Sequence, residues 1–281
     1  MKRLFFVGVV GALALASCTQ AKEEKQVAER VVATDGFVYK DDNVEFVQLD
    51  EHTWHGRGNK MFNESVYLIE GEREALLIDA GTVMPGLRKI VESIVEKPVT
   101  LVATHVHPDH TGMAIGEWDS IWMNAADEVL APYNMENYQG EKRYLTEGQI
   151  FDLGGREIEV VFCPGHTPGS TLFVDKKAKY GFSSDAFGSS NLLIFTDLST
   201  EAASCARALR FVEKWGLTHF YPGHFGGKNI ETPERIREIM RLCEGVLDGS
   251  IEKEIDKDNE RLRYYVDGNG IRVRFGEGNI R

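Results

Sequence analysis

The sequence predicts a layered α/β protein, with sheets covered by helices, and three observations carry that reading. From about Val38 onward, short runs rich in β-branched and aromatic residues recur between turn residues, as strands in meanders do. Three other segments space their apolar residues at three- and four-residue intervals, the mark of amphipathic helices. These segments stand between strand-like runs, so each has a sheet at hand on which to bury its apolar face.

In chain order, residues 44–49, 65–70 and 75–79 read as strands, the last two joined by Gly71-Glu72-Arg73-Glu74 as a hairpin. Leu87, Ile90, Val91, Ile94 and Val95 follow at helical spacing. Residues 99–103 form a β-rich run, and 157–162, 170–175, 180–183 and 219–221 read as further strands. Cys205, Ala208, Leu209 and Val212 line one face of a helix, with Ser199 as its N-cap. A last helix opens on Thr232-Pro233-Glu234, a cap with proline in the first helical position. It turns Ile236, Ile239, Met240, Cys243, Val246 and Leu247 inward. Asp267-Gly268-Asn269-Gly270 then separates residues 263–266 from 271–275, a closing β-hairpin.

The first residues stand apart from this fold. Lys2 and Arg3 precede an apolar run at residues 4–16, shorter than the roughly twenty residues a bilayer span needs. That is the basic and apolar order of a signal peptide. The run closes on Leu15-Ala16-Ser17-Cys18, which resembles the lipobox of bacterial lipoproteins. The resemblance implies cleavage before Cys18 and lipid attachment at its thiol, and two or three acyl chains anchor a protein firmly. The expected organisation is a signal peptide at 1–17, a polar tether at 18–36 and one domain at 37–281 that ends in a helix and a hairpin. The expected location is the cell envelope outside the cytoplasm, on the outer membrane in a Gram-negative host, since Thr19 rather than Asp follows the cysteine.

Loss of residues 1–17 takes Lys2 and Arg3 and no acid, moving the net charge from −12 to −14. So acidic a chain excludes nucleic acid as the main partner. A small-molecule substrate and the membrane, through the lipid anchor, are the expected partners, and the oligomeric state stays open. Cys163, Cys205 and Cys243 remain, an odd number, and the last two fall on apolar helix faces as small buried hydrophobes.

The chemistry gathers where residues 99–103 run into Thr104-His105-Val106-His107-Pro108-Asp109-His110. The whole chain has eight histidines, so such a concentration points to a metal. Imidazole suits zinc and iron, and carboxylate adds charge compensation. A turn leaving a strand can aim His105 and His107 at one ion and Asp109 and His110 at another, with Pro108 stiffening it by fixing φ. Three later motifs each put one ligand candidate at a strand end: Cys163-Pro164-Gly165-His166-Thr167-Pro168-Gly169-Ser170, Ser183-Ser184-Asp185-Ala186-Phe187-Gly188, and Tyr221-Pro222-Gly223-His224. Taken singly each is weak; their order and chemistry together are strong.

These motifs, with the upstream Leu76-Leu77-Ile78-Asp79-Ala80-Gly81, resemble the metallo-β-lactamase superfamily over residues 44–224. The resemblance implies a four-layer αββα sandwich with two metals at one edge. It implies one site of His105, His107 and His166, another of Asp109, His110 and His224, and a bridge by Asp185. Asp79 would support the metal loop from behind. Two divalent ions are expected, zinc foremost, with iron or manganese also suited to such ligands. A bridging aspartate points away from the binuclear β-lactamases, toward the glyoxalase II, lactonase and phosphodiesterase branches. The implied activity is hydrolysis of an ester, lactone or thioester by a hydroxide shared between the metals, with Asp109 or Asp185 moving the proton. The competing readings are a true metallo-β-lactamase and a non-catalytic envelope binding protein of the same fold. Residues 52–58 read as a flap over the site or an exposed turn, and residues 133–144 as a surface loop or a second wall, while His219, alternating with Tyr221, reads as packing.

Overall fold

The computed structural model describes residues 36–281, so the expected signal peptide, Cys18 and the tether up to residue 35 lie outside the described residues. Eight strands form the first sheet in chain order: β1 (Phe37–Lys40), β2 (Val44–Asp50), β3 (Thr53–Gly58), β4 (Ser65–Glu70), β5 (Ala75–Ile78), β6 (Val99–Val102), β7 (Ser120–Met123) and β8 (Glu141–Tyr144). Neighbours from β1 to β5 are antiparallel and follow one another along the chain. From β5 to β8 they are parallel, and α1 (Leu87–Val95) makes the crossover between β5 and β6. The five apolar residues read from the sequence are the buried face of α1.

The second sheet begins with β9 (Ile150–Asp152), β10 (Glu157–Phe162), β11 (Thr171–Asp175) and β12 (Tyr180–Ser184), all antiparallel neighbours. The chain then leaves as β13 (Asn191–Ile194), runs through α3 (Leu198–Trp215), and returns as β14 (His219–Pro222), parallel to β12. A single helical turn, α2 (Ala131–Asn134), precedes β8, and α4 (Pro233–Asp248) follows β14. The last strands are β15 (Glu254–Ile255), β16 (Tyr264–Gly268) and β17 (Ile271–Phe275).

The period-two alternation of strand side chains sorts the core into three layers. Tyr67 and Ile69 of β4, with Leu76 and Ile78 of β5, face Ile158, Val160, Phe173 and Phe182 across the two sheets. Val66, Leu68 and Leu77, on the opposite faces of the same strands, pack on Leu87, Val91 and Val95 of α1. Val161, Leu172 and Val174 pack outward on Cys205, Ala208, Ile236 and Ile239 of α3 and α4. Helix, sheet, sheet, helix: the αββα sandwich is the observed fold.

A third, four-stranded sheet in the order β13-β17-β16-β15 lies on the α3–α4 side. The expected closing hairpin is β16 and β17, turning at Asn269 (φ 43°) and Gly270 (φ 77°), the two positive φ values that a type I′ turn requires. Its parallel pairing with β13 has no local signature, because the partners lie about eighty residues apart.

Four sequence expectations need correction. Residues 53–58 are not a flap but strand β3, paired on both sides, with Trp54 and His55 buried. Residues 133–144 hold the end of α2 and the polar edge strand β8 rather than one loop. The cap of α3 is Asp197, whose Oδ1 accepts from Thr200 N–H at 2.8 Å and from the Ser199 hydroxyl at 2.8 Å; the helix starts at Leu198, which puts Ser199 inside its first turn. In α4, Leu247 is exposed and Leu242 takes a buried place, because the helix contacts the third sheet as well as α3. His219 does pack, against the rings of Tyr180 and Tyr221.

Candidate metal centre

The residues expected at the centre come together at one edge of the two facing sheets, where β5, β6, β12 and β14 end. Asp79 ends β5 in a left-handed conformation (φ 65°), so its carboxylate turns under the loop that leaves β6. Its oxygens accept from Thr104 N–H (2.8 Å), the Thr104 hydroxyl (2.8 Å), His110 Nδ1–H (2.8 Å) and the Ser184 hydroxyl (3.1 Å). Ser184, at φ 47°, is another non-glycine residue held at positive φ beside the centre, and it sets Asp185 facing the histidines. Such conformations cost on the order of 1–3 kcal/mol and gather at functional sites.

Two groups of ligand atoms result. In the first, His107 Nδ1 lies 3.1 Å from His105 Nε2 and 3.0 Å from His166 Nε2. In the second, Asp109, His110, Asp185 and His224 converge, with His224 Nε2 3.5 Å from Asp109 and 3.4 Å from Asp185. Asp185 Oδ2 also lies 3.7 Å from His110 Nε2 and 3.8 Å from His166 Nε2, so this one oxygen stands between the groups. The far nitrogens are engaged: His166 Nδ1–H donates to the Leu193 carbonyl at 2.7 Å, and His224 Nδ1 is 3.2 Å from the Phe62 carbonyl.

Burial and mutual repulsion hold the first three imidazoles neutral. Burial foremost pulls His105 well below its ordinary value, His107 down to about 3, and His166 down as well. In the second group burial acts in the same sense but is overcome. Asp79, Asp109 and Asp185 raise His110, and the bond to Asp185 raises His224. Asp185 is held far below the carboxylate range, against its burial, by His110 and His224.

This donor set fits two divalent ions. Neighbouring ligands of a tetrahedral ion with metal–nitrogen bonds of about 2.0–2.1 Å stand roughly 3.3 Å apart, close to the observed nitrogen spacing. Neutral imidazoles that converge without a proton to share have lone pairs to give. His110 Nε2 and Asp185 Oδ1 are buried with no hydrogen-bond partner, a costly state unless something else is ligated there. Gly223 lets them approach: a Cβ there would sit 2.1 Å from Asp185 Oδ1 and 3.0 Å from His110 Cε1.

Sequence reasoning did not find Asp127. From a 3₁₀ turn (Ala125–Val129) its buried carboxylate accepts from Val106 N–H (2.9 Å), the Thr167 hydroxyl (2.9 Å) and Gly169 N–H (2.6 Å), tying the His105–His107 loop to the His166 loop. Nor did it find Phe195, whose ring abuts His107 and His166. No periodicity or motif marks either residue; both act through tertiary contacts alone.

Comparison with known proteins gives the family. Among curated relatives, the chain is 26% identical over 218 residues to the acyl-coenzyme A thioesterase MBLAC2 of Gallus gallus, covering 62% of this chain and 76% of that protein. It is 27% identical over 141 residues to the hydroxyacylglutathione hydrolase GloC of Haemophilus influenzae, covering 44% of this chain and 66% of that protein. Among solved structures, a metallo-beta-lactamase from Pontibacter korlensis superposes with a TM-score of 0.57 at 19% identity, over 72% of this chain and 99% of that one, a likeness of fold. Residues 60–224 match the family profile, and the chain belongs to the metallo-β-lactamase superfamily.

Proposed function

We propose that the protein is a dinuclear metal-dependent hydrolase of an ester, lactone or thioester carbonyl. The observation that carries this reading is Asp185 Oδ2, within 3.4–3.8 Å of imidazole nitrogens from both ligand groups. Bound divalent ions would polarise a carbonyl oxygen and lower the pKa of a water between them. The chain's own residues do the rest. His105, His107 and His166 are fixed as neutral donors by Thr104, the Leu193 carbonyl and the Asp127 clamp. Asp109 and His224 lie on the open side of the centre, with side chains 18% and 31% exposed, where a substrate arrives. Asp109 Oδ2 is therefore placed to take the proton of the attacking water and hand it to the leaving group. The thioester end of the range is favoured because the two relatives named above carry thioesterase and hydroxyacylglutathione hydrolase names.

The test combines metal analysis of the purified chain with a panel of thioesters, esters, lactones and β-lactams, assayed with zinc-, manganese- and iron-loaded protein. Two ions per chain and chelator-sensitive hydrolysis are expected. Full activity in a protein with both His105→Ala and His107→Ala would overturn the reading. The proposal extends to location: Leu15-Ala16-Ser17-Cys18 supports a lipid anchor at the cell envelope, and Cys18→Ser should then move the protein from the membrane to the soluble fraction.

A further inference from the structure

One cation stands beside the centre that the ligand set leaves unused. Phe195, the residue after β13, lays its ring against two histidines of the first group, 5.6 Å from His107 and 5.5 Å from His166 between centroids. Over the same ring sits the guanidinium of Arg261, 4.5 Å from the centroid. Arg261 belongs to the turn between β15 and β16, beyond the family match at residues 60–224.

That turn is tied down. Leu262 is buried and its N–H donates to Asn259 Oδ1 at 2.9 Å. Asp256 N–H donates to the Arg263 carbonyl at 2.7 Å, and the Asp256 carboxylate pairs with Arg274. The backbone under Arg261 is thus fixed while the residue as a whole is exposed. Most of the described arginines stand within ion-pair distance of a carboxylate, in a chain with 44 acidic against 32 basic residues. Among the described residues no carboxylate pairs with Arg261. A guanidinium over an aromatic ring still has N–H groups to offer, and these match a carboxylate or phosphate bidentately.

We propose that Arg261 is a substrate-recognition residue that binds an oxyanion, a carboxylate or a phosphate, carried by the substrate away from its scissile carbonyl. This rests on the hydrolase reading and narrows it to anionic substrates. The third sheet then has a role in the chemistry: β13 fixes His166 through the Leu193 carbonyl and delivers Phe195, and the β15–β16 turn lays the cation on that ring.

The experiment uses three thioesters with one acyl group: an acyl-coenzyme A, an S-acylglutathione, and the uncharged S-acyl-N-acetylcysteamine. Arg261→Ala should lower kcat/KM for at least one anionic thioester by about tenfold or more, mainly through KM, and leave the uncharged one within about twofold. Arg261→Lys should recover part of the loss, since it restores charge without the fork. Added salt should raise KM for the anionic substrate in the wild type and much less in Arg261→Ala. Binding is read separately by calorimetry with S-methylglutathione and S-methyl-coenzyme A, which are not hydrolysed, and Arg261→Ala should weaken the same probe that responds in kinetics. A response to coenzyme A alone identifies phosphate, and a response to glutathione alone identifies carboxylate. An equal loss on the uncharged thioester, or unchanged binding of both probes, would overturn the proposal. If the wild type hydrolyses none of the three, the thioester end of the hydrolase reading fails, and the binding arm still decides on Arg261.

Discussion

Replacing Asp127 by Asn tests whether the centre is organised from outside its ligand set. The carboxylate is fully buried, and its three donors come from the two loops that carry His105, His107 and His166. Asparagine has the same shape but one acceptor oxygen. Its NH2 must therefore face either Gly169 N–H or the pair formed by Val106 N–H and the Thr167 hydroxyl. A hydrogen bond to a charged group contributes about 1.5–3 kcal/mol, and a buried donor left unpaired costs about 1–3 kcal/mol. Against this, burial pushes the Asp127 carboxyl pKa up despite its three donors, so removing the charge returns part of the desolvation cost. The net destabilisation should be about 1–3 kcal/mol, or roughly 2–10 °C in Tm for a chain of this size. The larger effect should fall on the metal, since partners that orient ligands typically contribute about 10–100-fold in affinity. Competition with a chromophoric chelator reads that affinity, and melts with and without metal read stability. A metal affinity unchanged from wild type, whatever happens to Tm, would refute the clamp.

Three further outcomes are expected. Gly223→Ala should fold, because its Cβ meets side-chain atoms only, but should lose metal affinity by tenfold or more as Asp185 is pushed aside; wild-type affinity would contradict the geometry. Phe173→Ala, in the layer between the sheets, should lower stability by about 3–5 kcal/mol in denaturant titration, and a loss under 1 kcal/mol would mean that the layer is not close-packed. Burial pushes Glu201 up to about 8, so the folded chain holds a proton that the unfolded chain releases near 4.5. Its contribution is therefore present in full below that value and declines as pH rises through 8, by up to about 1.4 kcal/mol per pH unit. Glu201→Gln should gain in Tm relative to wild type between pH 5 and pH 8, and a pH-independent difference would refute this.

What the sequence made legible follows from the range of the interactions involved. The strands β4, β5, β10, β11 and β12 and all three long helices announce themselves through short-period patterns, because each buries a face of its own. Ligand candidates were legible for a related reason: imidazole and carboxylate at strand ends are chemically conspicuous whatever surrounds them. Among the missed strands, β7, β8, β9 and β13 are three or four residues long and, unlike the wholly apolar β5, include polar and exposed or half-buried positions, so no unbroken apolar run marks them. The flap expectation at residues 52–58 failed because Trp54, His55 and Arg57 look like loop chemistry while the backbone pairs on both sides. Asp127 and Arg261 act across about 20 to 70 residues of chain, and nothing local distinguishes them from solvated charges.

The two ligand groups are not equivalent, and their difference predicts how the centre fills. Around the first group the oriented partners are neutral: the Thr104 hydroxyl near His105 and the Leu193 carbonyl behind His166. Around the second stand three carboxylates, Asp79 behind His110 and Asp109 and Asp185 in front of it. A carboxylate partner raises the basicity of the imidazole it holds, and oxygen ligands favour harder ions. The first position therefore suits an ion content with three nitrogens, and the second suits one that prefers oxygen. Titration of metal-free protein with manganese should show the second position filling first, whereas zinc should fill both with closer affinities. His224→Ala should remove the tighter manganese step, and His166→Ala the weaker one. If either substitution removes both steps equally, the ions bind as one cooperative unit and the charge asymmetry does not govern loading.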